Sequence, residues 1–129
     1  MKILICDDQA VIRDGLEMLL KLEQDFEIVG AAQDGAEAVE LAAQKSPDLV
    51  LMDLKMPGMN GIEATRRIKH AAPQAQVVML TILEDAEHQA GAHAAGAAAY
   101  LSKRQMHLEL LPLLARLLSA APAGEGGPP

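Results

Sequence analysis

The sequence predicts a doubly wound α/β domain: a parallel sheet with helices on both faces. Two observations carry this. Five short apolar runs alternate with five stretches of helical spacing over the 129 residues, and such alternation gives parallel strands joined by helical crossovers. The run 49–52 is apolar at every position and stops abruptly at Asp53, the pattern of a strand buried on both faces. Right-handed crossovers would bring all strand carboxyl ends to one rim, where open α/β sheets hold their ligands.

In order, residues 2–6 form an apolar strand followed at once by Asp7 and Asp8. Residues 10–22 carry helical spacing, with Ile12, Gly15, Leu16 and Leu19 on one face. Residues 26–32 are the second strand. Asp34 caps a second helix running to about Lys45, and Ser46-Pro47 ends it. The third strand spans 48–52. Pro57-Gly58 and Asn60-Gly61 mark a turn-rich loop. Asn60 and Glu63 form a capping-box pattern for a third helix, 61–71. A fourth strand covers 76–81, and an Ala-rich fourth helix, interrupted by Gly91, covers 84–95. The fifth strand is 97–101, ahead of Ser102 and Lys103, and the fifth helix is 105–119. Residues 120–129 are Pro, Gly and Ala with one Glu and read as a flexible linker or tail.

The chain has the size of one domain. Half of its residues are hydrophobic but only 2% are aromatic, so the core must be built from Leu, Ile, Val, Met and Ala. The net charge of −7 argues against nucleic-acid binding by this chain alone, since phosphate contacts need a basic patch. A single cysteine, Cys6, excludes an internal disulfide framework; inside a buried strand it is expected to be an inert core thiol. The amino-terminal apolar run is too short for a signal peptide or a membrane span. The expectation is a soluble cytoplasmic protein with no membrane contact.

Along the expected rim fall Asp7, Asp8, Asp53, Thr81 and Lys103. Taken singly, each has a plain structural reading as a cap, loop or strand-end residue. Five such residues at four strand ends point instead to a site. Three carboxylates brought together repel one another and are tolerable around a hard divalent cation such as Mg²⁺, which takes oxygen ligands. Such a cation attracts a phosphoryl group; Lys103 offers the same oxygens a charge, and Thr81 a hydroxyl donor. A carboxylate at the strand tip can act as a nucleophile toward phosphorus. The constellation fits phosphoryl transfer onto Asp53.

These residues resemble the response-regulator receiver domains of two-component signalling, over residues 1–119. The most specific stretch is Leu51-Met52-Asp53-Leu54-Lys55-Met56-Pro57-Gly58-Met59-Asn60-Gly61, joined by Asp7-Asp8, Thr81 and Tyr100-Leu101-Ser102-Lys103. The resemblance implies a flavodoxin-like (βα)5 fold with strand order 2-1-3-4-5. It implies Asp53 as phosphoacceptor and Mg²⁺ held by Asp7, Asp8, Asp53 and the Lys55 backbone carbonyl. It implies Thr81 and Lys103 as phosphate-binding residues, and Thr81 with Tyr100 as a switch that reports phosphorylation on the surface of the fourth helix, fifth strand and fifth helix. The implied partner is a sensor histidine kinase, and the implied role is that of a regulatory switch rather than an enzyme of turnover.

Asp53-Leu54-Lys55-Met56-Pro57 and Glu27-Ile28-Val29-Gly30-Ala31-Ala32 resemble the NarL/FixJ-type subfamily, whose receivers are joined to a helix-turn-helix DNA-binding domain. Transcription and DNA would be reached only through that domain, which these residues do not contain; the chain is a receiver fragment or a stand-alone receiver. An alternative of another class is a Mg²⁺-dependent phosphohydrolase with an aspartyl nucleophile. In haloacid-dehalogenase-like enzymes a second Asp lies two residues after the first, where this chain has Lys55. A third class, a flavodoxin-like small-molecule binder, would need a phosphate-cradling loop after the first strand, where Asp7-Asp8 stands.

Three positions depart from the family pattern. Arg104 stands where members often have Pro, bulky Ile82 where they often have a small residue, and Pro112 falls inside the fifth helix, where it should kink or break it. Met106, Leu108, Leu110, Leu111, Leu113, Leu114, Leu117 and Leu118 exceed one packed stripe, and Val11, Met18 and Leu22 do the same on the first helix. The surplus suggests a partner surface, a homodimer or the missing domain; a broad core face with scattered surface leucines explains it equally well. His70, His88, His93 and His107 lack metal-ligand spacing.

Overall fold

The computed structural model describes residues 1–82 and 86–126, with side chains described to residue 119. Five strands, β1 (Lys2–Cys6), β2 (Glu27–Ala32), β3 (Leu49–Asp53), β4 (Gln76–Thr81) and β5 (Ala99–Ser102), alternate with α1 (Ala10–Lys21), α2 (Gly35–Lys45), α3 (Gly61–Ala71), α4 (Ala86–Ala94) and α5 (Met106–Gly126). The sheet is parallel throughout, in the order β2-β1-β3-β4-β5. This is the fold the sequence predicts.

The unbroken apolar runs have a simple cause. Each central strand is covered on both sides, and its alternate residues enter different cores. Leu4, Cys6, Val50, Met52, Val77 and Met79 pack with Ala38 and Ala42 of α2, Ala64 and Ile68 of α3 and Ala92 of α4. Ile3, Ile5, Leu49, Leu51, Val78 and Leu80 pack with Leu16 and Leu20 of α1 and Leu110, Leu113 and Leu114 of α5. The first core takes mostly alanines from its helices. The second is filled by leucines. Neither needs an aromatic centre.

Local chemistry sets the helix starts. Asp34 Oδ1 accepts the Glu37 N–H at 2.8 Å and Asn60 Oδ1 the Glu63 N–H at 2.9 Å, both N-caps as expected. The capping box on α3 is only half used: the Glu63 carboxylate is turned forward along the helix onto Arg66 and Arg67. That pairing holds its pKa below the ordinary carboxylate value, the Arg67 hydrogen bond being the largest cause.

α5 is not broken at Pro112, and its expected end is corrected. The helix continues through Pro112 because Leu110 and Leu114, both fully buried, and Leu113 anchor it in the second core on either side of the exposed proline. It also runs to Gly126, past the expected end at Ser119 and through a second proline, Pro122. β5 begins at Ala99, two residues later than expected, after Gly96 at φ +109° turns the chain. The expected start of the fourth helix, Glu84, lies outside the described residues; α4 is recorded from Ala86.

Candidate functional site

The strand register builds the site. Cys6 pairs with Met52, Asp53 with Leu80, and Thr81 with Ser102. Asp7, one residue past its strand, therefore lies beside Asp53. Thr81 lies one step past the partner of Asp53, and Lys103 one step past the partner of Thr81. Four chain segments that are distant in sequence meet at one rim by register alone.

Side chains converge accordingly. Asp7, Asp8 and Asp53 each place a carboxylate oxygen within 4.8 Å of the others. Asp7 and Asp53 are buried, at 1% and 5% exposure, while Asp8 faces solvent. The Lys103 ammonium lies between the two buried acids, 2.6 Å from Asp7 Oδ2 and 3.3 Å from Asp53 Oδ1. Thr81 is buried in the strand tip. A cleft of about 580 Å³ opens over this group, lined by Asp8, Asp53, Lys55, Thr81, Lys103 and Arg104, with apolar walls from Ile12, Met56, Pro57 and Ile82.

The electrostatics are those of crowded acids. Burial, then repulsion from Asp7, raises the Asp53 carboxyl from 3.8 to about 6 against the opposing pull of Lys103. Burial and the neighbouring Asp53 and Asp7 charges push the Cys6 thiol far upward, so it stays protonated, as expected of an inert core thiol. Its Sγ contacts Met56 Sδ at 3.5 Å.

Tight packing fixes the loop after β3. Gly61 N–H donates to the Leu54 carbonyl at 2.7 Å. A Cβ on Gly61 would lie 2.3 Å from the Asp53 carbonyl oxygen and 2.8 Å from Leu54 Cα; only glycine allows α3 to start this close to the strand tip. Gly58, at φ +72°, turns the loop between them.

The structure brings together Asp7, Asp8, Asp53 and Lys103 around one point, with Lys55 and Thr81 in the cleft wall. Tyr100 stands apart from that cleft. Its ring is half-buried against the first core and lines a second groove of about 430 Å³ with Leu108, Glu109, Pro112, Leu113 and Arg116 of α5. Two residues were not legible in the sequence. Arg13 donates to the Asp7 carbonyl at 2.6 Å, and the Gln9 N–H to Asp7 Oδ1 at 2.9 Å. Both fix the β1–α1 turn through contacts that include a backbone group, and the one pointer to Arg13 is a basic residue one turn into a helix that follows paired acids.

Residues 3–115 match the family described as the response regulator receiver domain. Among curated proteins, the chain is 43% identical over 102 residues to the transcriptional regulatory protein LnrK of Bacillus subtilis, covering 79% of this chain and 46% of that protein. It is 39% identical over 124 residues to the transcriptional regulatory protein LiaR of the same organism, covering 96% of this chain and 57% of that protein. The chain spans about half the length of the curated relatives it matches. Among solved structures, a LuxR-family two-component response regulator from Aurantimonas sp. SI85-9A1 superposes with a TM-score of 0.86 at 32% identity, over 92% of this chain and 84% of that one. A LuxR-family DNA-binding response regulator from Staphylococcus aureus does so with a TM-score of 0.83 at 28% identity, over 89% and 96%.

Proposed function

The chain belongs to the response regulator receiver domain family, in its LuxR/NarL-type branch, and from that premise we propose that it is a switch driven by phosphorylation of Asp53. The single observation that carries the reading is the convergence of three carboxylates and one ammonium at a strand tip that opens into a cleft.

The donor is the phosphohistidine of a sensor kinase. An Asp53 carboxylate oxygen attacks phosphorus, and the phosphorus–nitrogen bond to the imidazole breaks. The nitrogen keeps the electron pair and takes up a proton, leaving an acyl phosphate on Asp53. Asp7, Asp8 and Asp53 supply hard oxygen donors close enough to share one Mg²⁺, with the Lys55 backbone carbonyl as a further ligand. When bound, the ion neutralises phosphoryl oxygens as charge builds up on them. Lys103 holds one of those oxygens and relaxes its grip on Asp53 as it does so. The Thr81 hydroxyl donates to another.

Thr81 and Tyr100 carry the signal from there. Both sit at the β4–β5 edge of the sheet. Movement of Thr81 toward the phosphoryl group frees space that the Tyr100 ring can follow, reshaping the groove between β5 and α5. The output is transcriptional, through a DNA-binding domain that lies outside these residues. Among the described residues no helix is long and apolar enough to cross a membrane.

The test is intact mass after incubation with Mg²⁺ and an acyl phosphate. One added phosphoryl group on the native chain and none on Asp53→Asn is the expected result. Equal labelling of both chains would sink the assignment of Asp53.

A further inference from the structure

Asp7 and Asp8 are neighbours in the chain but are held in different ways. Every polar group of Asp7 has a partner. Its N–H donates to the Ala32 carbonyl at 3.1 Å, Oδ1 accepts the Gln9 N–H at 2.9 Å, Oδ2 accepts the Lys103 ammonium at 2.6 Å, and its carbonyl accepts Arg13 Nη1 at 2.6 Å. Asp8 is exposed, and among the described residues nothing bonds its carboxylate. Its place beside the other two acids is therefore set by its backbone.

That backbone is governed by Arg13. A peptide unit is planar, so the direction of the Asp7 carbonyl fixes the Asp8 N–H and the line along which the Asp8 Cα departs. Arg13 is the side chain that grips this carbonyl. Asp7 is only 1% exposed, so a carbonyl released there stays buried and unpaired or turns to find water, and turning swings the plane that carries Asp8. The grip is anchored: the Arg13 N–H donates to the Gln9 carbonyl at 3.1 Å, and α1 is packed through Leu16 and Leu20. Gln9, at the start of α1, makes no side-chain cap, so the turn lacks the usual local restraint and Arg13 supplies one from within the helix.

We propose that Arg13 is a positioning residue for the divalent cation: its bond to the Asp7 carbonyl holds the turn in which the Asp8 carboxylate stands ready beside Asp7 and Asp53. The inference rests on the reading of these three acids as a Mg²⁺ site. Position and charge act in opposite directions here. By charge alone a guanidinium repels a nearby cation, and removing it would tighten binding. Loss of the groups that orient metal ligands weakens binding by about tenfold or more, and on a partly exposed side chain the charge effect is screened.

The experiment follows amide NMR spectra over a Mg²⁺ titration of the native chain, Arg13→Met and Arg13→Lys, which gives Kd for the folded protein and shows whether the fold is kept. Methionine keeps an unbranched stem and removes donor and charge; lysine keeps both with a shorter reach. The expected result is a Kd raised roughly tenfold in Arg13→Met, partial recovery in Arg13→Lys, and spectra away from the rim unchanged. Should Arg13→Met fail to fold, a raised Kd in Arg13→Lys supports the inference and a native Kd overturns it. A native or tighter Kd in folded Arg13→Met would overturn the inference and leave the metal site standing, as would a weaker one accompanied by shifts throughout the fold. Absence of any Mg²⁺-dependent shift at Asp7, Asp8 and Asp53 in the native chain would overturn the metal site itself, and this inference with it.

Discussion

At Asp53, burial and charge both oppose ionisation. The carboxyl is raised from 3.8 to about 6, so the folded chain holds that proton over a pH range in which the unfolded chain has released it. The resulting stabilisation is complete below about pH 3.8 and is lost as pH rises through about 6. At neutral pH and without a divalent cation, the Asp53 charge therefore destabilises the fold. Asp53→Asn removes that charge. In chelator it should stabilise the protein by on the order of 2 kcal/mol at neutral pH and by almost nothing below about pH 3.8. Melts of both chains across this range check it, and equal stability at neutral pH would count against a strained carboxylate. At this scale the rim acids, Thr81 and Lys103 were legible because each falls within two residues of the end of an apolar run. Arg13 and Gln9 were not, because their bonds to Asp7 depend on how the chain turns after β1.

The elements around the site carry two further consequences. α3 starts against the tip of β3, and the three atoms nearest to a Gly61 Cβ are all backbone of Asp53 or Leu54. Gly61→Ala should cost about 2 kcal/mol or more and slow Asp53 labelling, because relief requires the strand tip to shift. A variant with native stability and native labelling would show that the tip is softer than its packing indicates. In α5, Pro112 denies the Leu108 carbonyl its helical donor. As Pro112 is exposed and the helix continues through it, Pro112→Ala should stabilise the chain by about 1 kcal/mol or more, read as a raised melting temperature; a lowered one would mean the proline fits this helix better than alanine does. The sequence rule that a proline ends a helix failed here because leucines on both sides are held by the sheet. Local propensity yields to burial when the flanking turns are anchored. The capping pair Asn60 and Glu63 shows the reverse: the cap was legible, but its reciprocal half was lost to two arginines one turn on.

For the whole molecule, the strand order and the two-sided core turn a linear pattern into a site. Apolar runs with no alternation identified the buried parallel strands, and the polar residues after them identified the rim. The two sheet faces differ in how they are filled, alanines on the α2–α3–α4 side and leucines on the α1–α5 side, and that division follows from which strand residues point each way. The outward surplus was half legible. Val11, Met18, Leu22 and Leu108 are indeed exposed, whereas Leu110, Leu113 and Leu114 are core. On the proposed function, these layers present Asp53 to a phosphoryl donor. Borohydride reduction tests this most directly, since it converts an aspartyl phosphate to homoserine and marks the acceptor permanently. After acyl-phosphate treatment in Mg²⁺, peptide mapping should find homoserine at position 53 alone, and none when the metal is chelated. Homoserine at Asp7 or Asp8, or labelling indifferent to chelation, would contradict the account.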